Sequence, residues 1–199
     1  MGVLTGLWGL LAGAALPGQA QTFGFEHRPL AKVADGAQTL RNAWAGGFNA
    51  PQFSSIDLNA DQQPDLYVFD RATNRSFTYL SVPATGGGRT WEYAPAYEGL
   101  FPVGLTGWAL LRDYDCDGRP DLFTFADGGD IRVFRHVPDA QGRPSFQLLT
   151  NQLTYFVPGL GNVNINTGGY NLPAIEDVNG DGRLDVLAYD FSSPIPSIY

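Results

Sequence analysis

Asp113-Tyr114-Asp115-Cys116-Asp117-Gly118-Arg119-Pro120-Asp121 is the stretch on which the reading of this chain turns. It follows the pattern D-x-[DN]-x-D-x-x-x-D. Two further copies exist, Asp57-Leu58-Asn59-Ala60-Asp61-Gln62-Gln63-Pro64-Asp65 and Asp177-Val178-Asn179-Gly180-Asp181-Gly182-Arg183-Leu184-Asp185. In a tight loop the side chains at positions 1, 3 and 5 turn toward one centre. A backbone carbonyl at position 7 adds another oxygen, and the Asp at position 9 closes the shell from the start of the next segment. Calcium is a hard cation that takes about six to eight oxygens at roughly 2.3–2.6 Å. Carboxylates and amides without His or Cys suit it better than zinc or copper. Magnesium fits less well, because it demands a small rigid octahedron and keeps several waters. The competing reading is an Asx-rich turn satisfied by its own backbone. Three aligned copies weigh against it.

The loops are not equivalent. The second offers four carboxylates, Asp113, Asp115, Asp117 and Asp121, whereas the first and third offer three and an Asn. Position 6 is Gly118 and Gly182 in the second and third loops, where a sharp turn calls for positive φ. In the first it is Gln62, which costs about 1–2 kcal/mol in a left-handed conformation. The first loop is therefore expected to bind most weakly. Ten of the chain's twenty acids lie in these loops, and three calcium ions would bring the formal charge from −8 to −2. Without a cation, each loop concentrates like charges that loosen it.

What flanks the loops separates one class of calcium protein from another. Each loop runs into a short apolar segment, Leu66–Phe69, Leu122–Phe125 and Val186–Tyr189, and follows another, Phe53–Ile56, Trp108–Leu111 and Leu172–Ile175. Such runs, quickly ended by Asp, Gly or Ser, predict short buried strands. An EF-hand would continue into a helix and carry Glu at position 12, where Val68, Thr124 and Ala188 stand. Further strands are expected over Ser76–Val82, Ile131–Val137 and Phe146–Leu153. The unit repeats after 56 residues and then 64, about the length of one four-stranded propeller blade. A second echo supports the repeat: Gly46-Gly47-Phe48-Asn49-Ala50-Pro51 precedes the first loop and Gly168-Gly169-Tyr170-Asn171-Leu172-Pro173 the third.

The loops with their flanking strands resemble FG-GAP/VCBS repeats, the units of integrin α-subunit-type β-propellers and of many secreted bacterial proteins. The resemblance covers roughly residues 45–199. It implies an all-β fold of propeller-type blades built from short antiparallel strands, with blades near 45–100, 101–160 and 161–199. It also implies up to three calcium ions. Their ligands would be Asp57, Asn59, Asp61 and Asp65; Asp113, Asp115, Asp117 and Asp121; and Asp177, Asn179, Asp181 and Asp185, with backbone carbonyls from Gln63, Arg119 and Arg183. Gln62 in place of Gly departs from the pattern. Propellers usually close with about four to eight blades, and this sequence holds about two and a half. A fragment of a longer protein, or closure by oligomerisation, is the expectation. Residues 22–27, with Phe23 and Phe25, could supply a strand that completes a last blade.

Composition agrees with this class. Gly and Pro number 25 and 14, which argues for many short strands joined by turns. Aromatics at 13% exclude wholesale disorder. A net charge of −8 leaves no electrostatic footprint for nucleic acid or anionic membranes. A single cysteine, Cys116, excludes an intrachain disulfide framework and cysteine-rich zinc sites, and at position 4 of its loop it reads as a plain loop residue. His27 and His136 read as polar surface or edge-strand residues. Val3–Leu16 is uncharged, too short to span a bilayer at about 20 residues, and followed by Pro17. With Gly18 and Ala20 as small residues it reads as an export signal over residues 1–20, cleaved near Ala20–Gln21, despite the lack of Lys or Arg ahead of it. No transmembrane segment is expected in the mature chain.

The leading functional expectation is a secreted or cell-surface, non-catalytic propeller that uses calcium structurally and presents loops or a concave face to a protein or carbohydrate. The alternatives are a propeller-based polysaccharide lyase or hydrolase and a structural spacer of a larger surface protein. No G-x-S-x-G, H-E-x-x-H or Cys–His arrangement is present. Glu92, Glu98 and Asp130 carry no pattern beyond solvated surface, and Trp91 and Tyr93 read as core or edge-strand packing rather than sugar platforms.

Overall fold

A computed structural model describes residue 28 and residues 31–168, 171–189 and 197–199. The expected export signal, His27 and the Phe23–Phe25 strand lie outside the described residues.

The described residues are all-β, with several small antiparallel sheets and no closed barrel among them, as in an incomplete propeller. A short exposed hairpin comes first, β1 (Val33–Asp35) and β2 (Gln38–Leu40). The first four-stranded sheet follows as a meander: β3 (Pro51–Ile56), β4 (Asp65–Asp70), β5 (Arg75–Pro83) and β6 (Arg89–Tyr93). A 3-10 turn at Pro95–Leu100 leads to the second meander of four, β7 (Ala109–Arg112), β8 (Asp121–Ala126), β9 (Asp130–His136) and β10 (Phe146–Thr150). A separate hairpin, β11 (Thr154–Val157) and β12 (Gly161–Asn164), accounts for the longer second repeat interval. The third sheet has β14 (Asp185–Ala188) between β13 (Ala174–Glu176) and β15 (Ser197–Ile198).

The continuous apolar runs after the first two loops form because those strands are covered on both faces, whereas β14 alternates between buried and half-buried positions. Tyr67 and Phe69 of β4 point toward the second sheet and pack with Ile56, Leu111 and Leu122. Val68 and Leu66 point the other way, against Phe48, Phe77 and Tyr79. In β8, Leu122 joins the first of these cores while Phe123 joins another, with Ile131, Val133, Ile175 and Val186 between the second and third sheets. Burying an aromatic or branched side chain of this kind contributes about 1.5–3 kcal/mol.

β3 alternates instead, and its buried positions begin with polar residues, Gln52 and Ser54. The reason lies across the sheet junction. The Gln52 side-chain oxygen accepts the Ala109 N–H at 3.1 Å, and the Ser54 hydroxyl accepts the Leu111 N–H at 3.1 Å. β7 is an edge strand, so these donors have no ladder partner of their own. Side chains from one sheet thus satisfy the backbone edge of the next, which would otherwise bury unpaired N–H groups.

The Gly-Gly-aromatic-Asn echo has a structural counterpart too. Ala50 N–H donates to Asp70 Oδ1 at 3.0 Å, and Asn171 Nδ2 donates to the Tyr189 carbonyl at 3.0 Å. In both copies the element fastens onto the end of the second strand of its own sheet. The histidine expectation needs correcting at His136. It is buried, at the end of β9, which is flanked on both sides by β8 and β10. Its ring lies 5.5 Å from that of Phe146, and burial, with Arg119 nearby, pulls its pKa down. Packing between sheets, which a lone His in sequence does not advertise, puts it there.

Candidate metal centre

Each of the three acidic segments is the connection between the first two strands of a sheet: β3 to β4, β7 to β8 and β13 to β14. Their internal hydrogen bonds repeat position by position. The Asp at position 1 accepts the N–H of position 5 on one oxygen: Asp61 to Asp57 at 3.2 Å, Asp117 to Asp113 at 3.1 Å, Asp181 to Asp177 at 3.2 Å. Its other oxygen accepts the N–H of position 6, from Gln62 at 2.7 Å, Gly118 at 2.9 Å and Gly182 at 2.9 Å. The Asp at position 5 accepts the N–H of position 7, from Gln63 at 2.8 Å, Arg119 at 2.9 Å and Arg183 at 2.9 Å. These bonds hold the backbone in one curl with the side chains of positions 1, 3 and 5 on its inside. They also draw the Asp177 pKa below the ordinary value, chiefly through the Gly182 N–H.

The curl requires two left-handed residues, not one. Position 6 has φ of 63° at Gln62, 85° at Gly118 and 83° at Gly182. Position 4 is left-handed as well, with φ of 62° at Ala60, 59° at Cys116 and 77° at Gly180. The sequence reading saw position 6 and missed position 4, because only Gly180 among the three offers a signal.

Position 9 is anchored deep in the sheet. Asp65 and Asp121 are fully buried, and Asp185 is half-buried. One oxygen of each accepts the N–H of position 2: Leu58 at 2.9 Å, Tyr114 at 2.9 Å and Val178 at 3.0 Å. In the first two sheets the other oxygen accepts an N–H from the third strand, Ser81 at 2.7 Å and His136 at 2.6 Å. Burial pushes both carboxyls above the ordinary range. The N–H bonds work against that rise, and the neighbouring loop acids reinforce it.

The second loop gathers three acids at positions 1, 3 and 5. Asp113, Asp115 and Asp117 each place a carboxylate oxygen within 4.8 Å of the others; among the described residues no other such acidic or histidine group appears. In the first and third loops an Asn stands at position 3, and its Nδ2 faces the position 5 carboxylate, at 3.1 Å for Asn59–Asp61 and 3.3 Å for Asn179–Asp181. Two guanidinium groups reach the second loop. Arg135 of β9 lies with Nε 2.7 Å from Asp115 and its terminal nitrogen 3.8 Å from Asp117, and Arg119 pairs with Asp117. The donor set is oxygen throughout, which fits a hard divalent cation and not a thiophilic one. Loops two and three also touch, the Cys116 thiol lying 3.7 Å from the Gly182 carbonyl oxygen.

Of the carboxylates outside the loops that the sequence brings forward, Glu98 and Asp130 are engaged in structural bonds, whereas Glu92 lies exposed on β6. Glu98 accepts the Tyr93 hydroxyl at 2.9 Å, and Asp130 accepts amides from Gln152 at 2.8 Å and Asn164 at 2.6 Å. Burial and the Glu98 bond raise the Tyr93 pKa to about 12. Trp91 and Tyr93 both lie on β6, an edge strand, with Trp91 exposed and Tyr93 packed on Phe77 and Tyr79. Among the described residues no helix is long and apolar enough to cross a membrane.

Residues 113–188, from the first Asp of loop two to the end of β14, match the family model of an FG-GAP-like repeat. No curated protein and no solved structure matches the chain.

Proposed function

We propose that this FG-GAP-like repeat protein is a calcium-binding, propeller-type module of an exported protein, with a non-catalytic role in binding a protein or carbohydrate outside the cell. The single observation that carries the reading is the same hydrogen-bonded curl built three times between the first and second strands of successive sheets. Asp57, Asn59 and Asp61, Asp113, Asp115 and Asp117, and Asp177, Asn179 and Asp181 would hold the cation. Asp65, Asp121 and Asp185 would close each loop from the strand that follows, and the carbonyls of Gln63, Arg119 and Arg183 would complete the shells. A bound cation would supply charge neutralisation and cross-link the loop.

In support of the non-catalytic role, two of the candidate carboxylates outside the loops, Glu98 and Asp130, already hold neighbouring side chains. Export rests on the sequence of residues 1–20 alone. Its test is N-terminal sequencing of the exported chain, which is expected to begin near Gln21.

The calcium reading is tested by calorimetric titration of the purified protein, with thermal melts in calcium and in excess chelator. Binding of about three equivalents with a loss of Tm in chelator is the expected result. Two equivalents would identify a first loop that fails at its strained positions. No heat and no change in Tm would reduce the three loops to Asx-rich turns.

A further inference from the structure

The second loop carries one acid more than its two counterparts, and one basic side chain stands against that acid. Where Asn59 and Asn179 occupy position 3, the second loop has Asp115, and Arg135 Nε lies 2.7 Å from it. The comparison can be made at a matched position of the first sheet. Asp121 Oδ1 accepts the N–H of His136, and Asp65 Oδ1 accepts the N–H of Ser81, so His136 corresponds to Ser81 and Arg135 to Leu80. The strand pairing agrees, Leu122 facing Phe134 as Leu66 faces Tyr79. In the second sheet an acid in the loop and a base on the third strand therefore occur together, and the first sheet lacks both.

We infer that Arg135 is a built-in counter-cation of the second loop, which holds its acids together without metal and must release Asp115 when a divalent cation enters. The inference rests on the calcium reading given above. Three carboxylate oxygens within 4.8 Å of one another repel unless a positive charge lies among them. In the first and third loops the amide of Asn59 or Asn179 softens that repulsion. In the second, Arg135 does so at Asp115, with a further contact to Asp117 at 3.8 Å, beside the pair that Arg119 makes with Asp117. An oxygen of Asp115 bonded to a guanidinium is less available to a cation, so the two compete for it. Arg135 is half exposed and can swing into solvent, which makes the exchange sterically simple.

Two opposite effects of one substitution follow. Arg135→Leu, which installs the residue of the first sheet, is expected to lower Tm in excess chelator, because the acids lose their counter-charge. The same change is expected to tighten calcium binding at the second loop about fivefold, the scale of a half-exposed ion pair. Occupancy of that loop is read from the Gly118 amide in a two-dimensional NMR titration with calcium alone, and that of the third loop from Gly180 and Gly182. In an Asp115→Asn background the effect of Arg135→Leu on affinity should largely vanish.

If Arg135→Leu weakens binding at Gly118 or leaves it unchanged while the wild type binds calcium, the counter-cation inference is overturned and the calcium reading stands. A tightening that persists undiminished in the Asp115→Asn background also overturns it, by showing a diffuse field effect. If no variant and no wild-type loop responds to calcium, the calcium reading itself fails and the inference falls with it.

Discussion

Replacing Gln62 with Gly should stabilise the protein, although it removes a side chain from a surface loop and adds no contact. Gln62 sits at φ 63°, in the left-handed region. A residue with a Cβ is held there at a cost of about 1–2 kcal/mol. Glycine removes that cost but gains roughly 0.5–1 kcal/mol of unfolded-chain entropy to lose. The net gain is then about 0.5–1 kcal/mol, or roughly 1–4 °C in Tm for a chain of this size. Ala60, at φ 62°, offers a second increment of similar size. The reverse substitutions serve as controls free of steric complication. A Cβ added at Gly118, Gly180 or Gly182 would meet nothing within 4 Å, so Gly182→Ala tests the left-handed conformation with no clash at the Cβ. Gly182→Ala should lower Tm by a similar amount. Thermal melts in excess chelator measure stability, and calcium titration measures whether the relaxed first loop gains affinity. Should Gln62→Gly lower Tm while Gly182→Ala leaves it unchanged, the left-handed curl is not what the two loops share.

Three other substitutions probe separate parts of the construction. Gln52→Ala strips the acceptor from the buried Ala109 N–H, and should cost about 1–3 kcal/mol in denaturant unfolding, with faster hydrogen exchange at Ala109. Phe123→Ala opens the core between the second and third sheets, where Phe123 is 1% exposed; a loss of about 3–5 kcal/mol is expected by the same measurement. Asp70 has its pKa held below the ordinary 3.8, first by the Ala50 N–H and also by Ala72, Thr73 and Asn49. A carboxyl depressed in the folded state stabilises it above its unfolded pKa, and that stability is lost as pH falls through the folded value. Acid unfolding below about pH 4 should therefore be shallower in Asp70→Asn, whose Tm at neutral pH is expected to be lower.

The strands that follow the first two loops are legible because both of their faces are buried. Leu66-Tyr67-Val68-Phe69 divides its side chains between two cores, and a run buried on both sides needs no polar alternation. The loops were legible because charge at fixed spacing is rare. Other features left no such trace. Gln52 and Ser54 are ordinary polar residues until β7 is placed beside them. Ala60 and Cys116 conceal the left-handed position that Gly180 alone would suggest. β1, β2 and the β11–β12 hairpin bury little surface, so hydrophobic pattern cannot mark them. Arg135 is a single base on a strand; only its register against Asp121 and His136 connects it with the loop 20 residues earlier that holds Asp115.

The loops do more than decorate strand ends, because each contacts structure belonging to a different sheet or connection. Cys116 of loop two meets Gly182 of loop three at 3.7 Å, and a Cβ on Gly142, in the β9–β10 connection, would stand 3.3 Å from Ala60 of loop one. Arg112, the residue before loop two, bonds the Ile175 carbonyl and the Glu176 carboxylate, both at 2.9 Å, on β13. Tyr114 inside loop two lies edge-on to Phe123 at 5.7 Å, at the core shared by the second and third sheets. A loop that changes its curl must therefore shift contacts on its neighbour as well as its own strands. Small antiparallel sheets gain from such ties, since the cores here lie between neighbouring sheets and each sheet alone would leave its share of them uncovered. Ordering the loops by a cation would then act on the junctions between sheets, and their loosening in chelator should appear first as exchange at Cys116, Gly182 and Ile175 rather than within β4 or β8.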